Sequence, residues 1–158
     1  MIALTRIDDR LIHGQVATQW VADSRANNIY IVDDETADDE FAVMVCKGLA
    51  PLRTEVHVLH TAESFDVLKE VAENDSKRGL IIVKTPEPLN EMIEHGVPLK
   101  KIVVGGMGKR ADRKPLFKAI SASNDEIELL KKMESEGVEV VVQIVPSDKA
   151  MPISKVAK

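Results

Sequence analysis

The residues most suited to chemistry lie near the start of the chain, where two arginines, two aspartates and a histidine fall within eight positions. They are Arg6, Asp8, Asp9, Arg10 and His13. An arginine guanidinium is a planar fork that matches phosphate oxygens, and the amides at a helix start add further donors. An imidazole is a competent nucleophile when a neighbouring carboxylate fixes which ring nitrogen is free. This combination predicts phosphate chemistry.

The alternative interpretation of this segment is a solvated loop with local ion pairs, since charge-dense loops are common on protein surfaces. The other histidines argue against it. His57, His60 and His95 have no arginine cluster beside them in the sequence, and their positions indicate structural or surface roles. Gly14 follows His13, and its missing side chain allows a ligand to approach the backbone closely. His13 is therefore the preferred candidate.

The elements that position this segment alternate between short β-branched strands and amphipathic helices. Several strands are apolar throughout, which indicates burial on both faces, as in a parallel sheet covered by helices. The predicted strands are Ile2–Thr5, Asn28–Val32, Glu55–Leu59, Leu80–Val83, Lys101–Val104 and Val138–Ile144, with Pro115–Ser121 as a short strand or edge segment. Residues 1–158 therefore predict a single α/β domain with an open, mostly parallel β-sheet flanked by helices on both faces, and one antiparallel edge strand is allowed.

Apolar stripes at helical spacing predict the helices between these strands, and Val16 with Trp20 predicts a shorter first helix. One such stripe consists of Phe41, Met44, Val45, Gly48 and Leu49, and it is expected to face the core. Cys46 lies beside it and is expected to be a small buried hydrophobe. The tail, residues 150–158, has little periodicity, and we expect it to be partly mobile.

Composition and charge exclude several classes of function. Lys and Arg number 21 against 26 Asp and Glu, so the net charge is −5, and a duplex binder needs the opposite sign. Aromatic residues make up only 3% of the chain, which argues against base stacking. The single cysteine cannot form an internal disulfide, and no apolar stretch is long enough to span a membrane. We expect a cytoplasmic protein that does not bind nucleic acid.

Two other segments invite a functional interpretation. Gly105–Gly108 fits a relaxed dinucleotide pattern, but Pro115 stops the following segment and the pattern does not open the first strand–helix–strand unit, so a nucleotide-dependent enzyme is disfavoured. We expect a flexible loop near His13, followed by a basic patch that meets a partner or is solvated; the patch comprises Lys109, Arg110, Arg113 and Lys114. The acidic residues of segment 33–40 lack calcium-loop spacing and predict a solvated face near the site.

The charged segment also carries a family resemblance. Arg6-Ile-Asp-Asp-Arg-Leu-Ile-His-Gly-Gln-Val, at the N-terminus, resembles the IIB component of the mannose/fructose/sorbose family of the bacterial sugar phosphotransferase system. The resemblance continues along most of the chain, in the order the family has these motifs. They are Val32-Asp33-Asp34, Val83-Lys84-Thr85-Pro86-Glu87, Val103-Val104-Gly105-Gly106-Met107, and Gly137-Val138 with Gln143 and Pro146.

The resemblance implies a phosphoryl relay in which His13 is the covalent intermediate, through its Nδ1 atom. Such a transfer needs positioning and charge stabilisation more than a strong base. Arg10 is the first candidate to hold the phosphoryl oxygens and Arg6 the second, while Gly14 and Gln15 would offer backbone N–H donors. Asp8 and Asp9 are expected to shape the loop or orient His13, because a carboxylate facing a phosphoryl group would repel it.

The resemblance also implies the partners. A IIA protein or domain would donate the phosphoryl group, and the acceptor would be a sugar entering through the membrane subunits IIC and IID. The protein would then lie in the cytoplasm, associated with the membrane through that complex. The scheme requires no cofactor and no metal. The competing hypothesis is a regulatory module that senses a phosphorylated partner without carrying the group itself.

Overall fold

A computed structural model describes residues 1–14 and 16–158, in which seven strands form one mixed sheet in the order β3-β2-β4-β1-β5-β8-β9. All neighbours are parallel except β9, which pairs antiparallel with β8 at the edge. A separate antiparallel hairpin joins β6 and β7. The strands are β1 Ile2–Asp8, β2 Asn28–Val32, β3 Glu55–Leu59, β4 Gly79–Val83, β5 Lys101–Gly106, β6 Lys114–Phe117, β7 Ile120–Ala122, β8 Glu139–Val142 and β9 Met151–Pro152.

Helices cover both faces of this sheet. The first is a π-helical turn, Val16–Trp20, which continues directly into α1. The α-helices are α1 Val21–Ser24, α2 Asp34–Ala37, α3 Glu40–Gly48, α4 Thr61–Glu73, α5 Glu87–Glu94, α6 Asn124–Ser135 and α7 Ile153–Val156. In the part of the chain that the structure describes, no helix is both long and apolar enough to cross a membrane.

The core is divided by the sheet into two layers because successive strand residues point to opposite faces. Tyr30 and Val32 pack with α4, α5 and α6 on one face. Ile29 and Ile31 pack with the π-helical turn and α3 on the other. The predicted α/β architecture, including the antiparallel edge strand, is confirmed.

The strand ends differ from the sequence-based bounds, and the differences concern the candidate site. The first strand does not stop at Thr5 but continues to Asp8, so Arg6 and Asp8 lie within a strand and not in a loop. Gly105 and Gly106 belong to β5, which corrects the expectation of a flexible loop there. The chain leaves β8 at Val142, two residues before its predicted end.

Two segments differ in burial from what their sequences suggested. The Phe41 stripe of α3 faces outward, with the Phe41 side chain 69% exposed, while Cys46 on the opposite side is buried as expected. The C-terminal tail forms β9 and α7, and Ile153 is fully buried against the first core layer. This packing is at odds with a mobile tail.

The acidic segment 33–40 acts mainly on the backbone. The Asp33 carboxylate accepts from the Thr36 amide and begins α2, and Asp39 begins α3 in the same way. Asp34 accepts from the Thr61 amide at the start of α4. The segment is exposed at all of its acidic residues except the half-buried Asp33, as expected for a solvated face, and helix capping explains three of its carboxylates.

Candidate active site

The candidate site is organised around Asp8, the last residue of β1. Its side chain is fully buried, and both carboxylate oxygens accept hydrogen bonds. The Arg10 amide and Nε donate to Oδ1 over 3.1 and 3.3 Å. Arg6 Nη2 lies 3.5 Å from Oδ2, which also contacts His13. One buried carboxylate thus connects the two arginines and the histidine that the sequence analysis selected.

The hydrogen bond between Asp8 and His13 defines which imidazole nitrogen is free. His13 Nε2 lies 2.9 Å from Asp8 Oδ2. An ionised carboxylate only accepts, so a neutral His13 ring bonded to it would carry its proton on Nε2 and keep the lone pair on Nδ1. The His13 side chain is 19% exposed, so the ring reaches solvent from a largely buried position. Of the two aspartates predicted to orient His13 or shape the loop, Asp8 is the one that contacts the ring, and its orienting role stays a prediction.

The Arg6 side chain lies in a closed, buried position beneath the site. It is fully buried, and Nη1 and Nη2 donate to the carbonyls of Gln143 and Ile144 over 3.1 and 2.9 Å. The guanidinium lies 4.6 Å from the centre of the Trp20 ring, whose Nε1 also donates to the Ile144 carbonyl. Burial lowers the pKa of Arg6 to about 10, against the opposing effect of Asp8, so it remains a cation at neutral pH.

The buried position of the Arg6 guanidinium requires a glycine at position 105. A Cβ atom placed on Gly105 would lie 1.9 Å from Arg6 Cζ, which no rearrangement of a few tenths of an ångström could relieve. A Cβ on Gly106 would lie 2.5 Å from Asp8 Oδ1. The two glycines of β5 thus admit the charged side chains of the neighbouring strand β1. The sequence suggested a ligand-binding loop, whereas their contacts are with Arg6 and Asp8.

Arg10 differs from Arg6 in being open to solvent. Its side chain is 55% exposed, although Nε and Nη2 lie near the Asp8 carboxylate. Arg10 also lines a cavity of about 370 Å³ together with Asp9 and the segment 105–108. The structure thus leaves Arg10 able to meet an incoming anion and holds Arg6 away from one.

Asp9 ties the His13 loop to the loop after β5. Its carboxylate accepts from the Gly108 amide over 2.7 Å and lies 3.6 Å from Arg113 Nη1. Arg113 is nearly fully buried and forms a two-pronged ion pair with Glu126, each bond 2.9 Å long. Arg113 is therefore not part of the exposed basic patch that the sequence predicted.

Glu126 is a residue that sequence reasoning missed at the site. It completes the capping box of α6 with Ser123, and the same carboxylate binds Arg113. Although burial alone raises it, these hydrogen bonds hold the pKa of Glu126 below its usual value. The capping box was readable from the sequence, but its partner thirteen residues upstream was not, because only the β6–β7 hairpin brings Arg113 back to α6.

The loop between Asp8 and the π-helical turn is held by buried apolar residues. Leu11 and Ile12 are both buried, and Leu11 has a φ of +57°, a conformation that a leucine rarely adopts. Burial in the second core layer stabilises this conformation. Strained backbone and π-helical turns both concentrate at functional sites, which agrees with this position.

The remaining predicted residues lie as follows. Gly14 follows His13 at the helix start with open space where a Cβ would lie, so its role as an amide donor stays a prediction. Gln15, the other predicted amide donor, lies outside the described residues. Within residues 1–14 and 16–158, no group of three or more histidine, cysteine or acidic side chains is arranged to hold a metal.

The chain is similar to known proteins along nearly its whole length. The model of the PTS system sorbose subfamily IIB component matches residues 2–158. The chain belongs to this family. It is 33% identical to the mannose-specific EIIAB component of Escherichia coli strain K12, where the match covers the whole chain but half of the relative. It is 31% identical to the fructose-specific EIIB component of Bacillus subtilis, with 93% of the chain and 90% of the relative covered.

Solved structures of IIB components have the same fold. The IIB domain of the sorbose permease from Klebsiella pneumoniae superposes with a TM-score of 0.92 at 30% identity, covering 98% of this chain and 94% of that one. The N-acetylgalactosamine-specific IIB component 1 of E. coli gives 0.89 at 27% identity, covering 96% and 98%. The resemblance read from the N-terminal motif is therefore confirmed along the whole IIB chain.

Proposed function

We propose that this IIB component carries a phosphoryl group on Nδ1 of His13, between a IIA donor and a sugar. The observation that supports this most directly is the bond from His13 Nε2 to the buried carboxylate of Asp8, with the exposed guanidinium of Arg10 beside it. The bond supplies an oriented nucleophile, and the guanidinium supplies a cation for the phosphoryl oxygens.

The first transfer replaces the P–N bond of the donor by a P–N bond to His13. The second replaces that bond by a P–O bond to the sugar. Nδ1 of His13 attacks the phosphorus of the donor phosphohistidine, and the bond from phosphorus to the donor nitrogen breaks. The sugar hydroxyl later attacks the same phosphorus and releases its proton to water, while the bond to Nδ1 breaks and its electron pair returns to Nδ1. The Nε2 proton stays with the Asp8 hydrogen bond throughout, so the ring keeps one orientation in both steps.

We propose different roles for the two arginines. Arg10 is half exposed and acts directly, by binding the phosphoryl oxygens as charge develops on them. Arg6 is buried with both Nη atoms bonded to carbonyls, so in this placement it acts as a positioning residue by fixing the charge and orientation of Asp8. This replaces the earlier expectation that Arg6 contacts the phosphoryl group.

The partners and location follow from the family. We propose that the donor is a IIA protein or domain, and that the sugar is delivered by membrane subunits IIC and IID. The chain would then work in the cytoplasm at the membrane surface. The relatives it matches are named for mannose, fructose, sorbose and N-acetylgalactosamine systems, and we propose that the acceptor is a sugar of this class.

The test is intact-mass analysis after incubation with a phosphorylated IIA protein. The wild-type chain should gain one phosphoryl group that is lost in acid, and His13→Ala should gain none. His60→Ala is the matched control, because His60 also bonds a carboxylate at the same edge of the sheet, and it should be labelled normally. Nitrogen-detected NMR of the product should place the group on Nδ1.

The regulatory module makes a different prediction. A chain that only senses a phosphorylated partner would show no gain in mass, although it would still bind phospho-IIA. Normal labelling of His13→Ala would instead move the carrier role to another residue. The family membership favours the carrier, since the relatives are named as phosphotransferase components.

A further inference from the structure

An exposed apolar stripe runs along α3 and the loop that follows it. Phe41 is 69% exposed, Met44 62%, Val45 43%, Leu49 47% and Leu52 96%. Among the described residues, Met1 is the only other large hydrophobic side chain exposed to this degree. Single exposed hydrophobic residues are ordinary, whereas a contiguous group on one element indicates an interaction surface.

The stripe has the spacing of a helix–helix contact. Phe41, Met44 and Gly48 follow one another at intervals of three and four residues, which are the a, d and a positions of a heptad. Glu40 and Lys47 then occupy the two successive g positions, on the same flank of the stripe. Both are exposed, and neither takes part in an ion pair among the described residues.

We propose that this stripe binds the same stripe of a second copy of the chain, with the two α3 helices antiparallel. A twofold axis perpendicular to both helices places each flank of one helix beside the same flank of the other, but in reverse order along the helix. Glu40 of one copy therefore faces Lys47 of the other, twice. A parallel arrangement would instead place each g position beside an e position of the other helix, so that Glu40 would lie beside Val45 and would not face Lys47.

The sizes of the side chains fit the same arrangement. When Met44 and Val45 lie at the twofold axis, Phe41 of one helix lies opposite Gly48 of the other. Gly48 has open space where a Cβ would lie, so a large ring can rest against the helix backbone there. Large against small is the pairing that lets two helix surfaces interlock. The helix has only two and a half turns, so we expect weak, reversible dimers.

The proposed contact is separate from the His13 site. The helix α3 connects β2 to β3 and packs over them, at the edge of the sheet. The His13 loop follows β1, and β4 and β2 lie between β1 and that edge. Self-association would therefore leave the phosphoryl site open, and the dimer can be tested independently of the proposed chemistry.

Sedimentation equilibrium of the full chain, from low micromolar to near-millimolar concentration, tests the proposal. The wild-type chain should show a concentration-dependent monomer–dimer equilibrium. Met44→Glu should raise the dissociation constant at least ~10-fold, because two carboxylates would meet near the axis. Glu128→Lys is the control for charge. Glu128 lies on the exposed side of α6, its replacement changes the net charge as much as the Glu40→Lys change described next, and it should leave dimerisation unchanged.

A charge swap tests the orientation. Glu40→Lys and Lys47→Glu should each weaken the dimer, since each places like charges together, and the double variant should restore it to near the wild-type dissociation constant. Wild-type chain that stays monomeric throughout, or a double variant as weak as the singles, would overturn the proposal. Loss of binding to purified membrane subunits in Met44→Glu, with no dimer, would assign the stripe to those subunits instead. Far-UV circular dichroism should show all variants folded.

Discussion

Two histidines in the described part of the chain, His13 and His60, bond carboxylates near the carboxyl ends of the parallel strands, and the two pairs differ in nearly everything except the hydrogen bond. His13 lies 2.9 Å from Asp8 after β1, and His60 lies 2.6 Å from Asp38 after β3. The Asp8 side chain is fully buried, whereas that of Asp38 is 73% exposed. Asp8 has two arginines beside it.

The two pairs differ in what surrounds the hydrogen bond. In solvent the charges of Asp38 and His60 are screened, and the pair can open and close freely. Around Asp8 the low dielectric strengthens each interaction, and the fixed cation of Arg6 determines the position of the carboxylate and of the imidazole bound to it. The predictions below test this distinction between a buried hub and an exposed pair.

The largest expected effect is on folding stability. Asp8→Asn removes the carboxylate that neutralises buried Arg6, and an uncompensated buried charge should lower the free energy of unfolding by about 3–5 kcal/mol. Asp38→Asn should leave it nearly unchanged because the pair is exposed. Urea denaturation of both variants measures the difference. Equal, small losses of unfolding free energy in the two variants would show that the buried Asp8 contributes no more to stability than the exposed Asp38.

A substitution in the neighbouring strand β5 tests how firmly the Arg6 side chain is held in its buried position. Gly105→Ala places a methyl group where the guanidinium now lies, and the forced shift should lower the free energy of unfolding by roughly 1–3 kcal/mol. Gly48→Ala is the matched change at an open position and should be neutral or slightly stabilising. Denaturation curves measure both. An unchanged free energy of unfolding in Gly105→Ala would mean that the Arg6 guanidinium can move out of its buried position without loss of stability.

A third prediction separates chemistry from stability. Arg10→Lys keeps the charge but loses the planar fork, and phosphoryl transfer from phospho-IIA should slow by about 10-fold while the denaturation midpoint stays unchanged. Arg110→Lys is the control, because Arg110 also forms an exposed ion pair, with Asp112, and has no hydrogen bond or ion pair to Asp8 or His13 among the described residues. Rapid-quench labelling measures both rates. Equal rates for the two variants would remove Arg10 from the site.

The sequence predicted the fold class and most strands because apolar strands and capped helices are local patterns. β2 and β3 have the bounds that the sequence predicted. It placed His13, Asp8 and both arginines together because they lie within eight residues. What it could not give was the depth of Arg6, since that depends on Gly105 and on carbonyls more than a hundred residues away.

The errors have the same origin. Arg113 resembled its exposed neighbours in the sequence, but Glu126 and Asp9, which hold it, are brought to it by tertiary structure. The Phe41 stripe has the periodicity of a core face, and periodicity reports which residues share a face but not what that face meets. In both cases the local pattern was present and its partner was remote.

The smallest effect concerns the exposed pair itself. Hydrogen bonds to Asp38 and then Glu63 hold the pKa of His60 above its usual value. A histidine whose pKa is higher in the folded state adds stability below its unfolded pKa, and that contribution is lost as the pH rises through the folded pKa. In Asp38→Asn the pKa should fall, and the variant should differ most from wild type on the acidic side.

Proton NMR titration of the imidazole signals measures this shift. His57 is the internal reference, because burial lowers its pKa, and its Nε2 contacts Asn28 over 2.9 Å and Glu55 over 3.9 Å but not Asp38. Its titration should therefore not change in Asp38→Asn. An unchanged His60 pKa would mean that the exposed bond is too transient to favour the charged ring. A shifted pKa with labelling by phospho-IIA intact would show that a histidine can hold a carboxylate firmly and still take no part in the transfer.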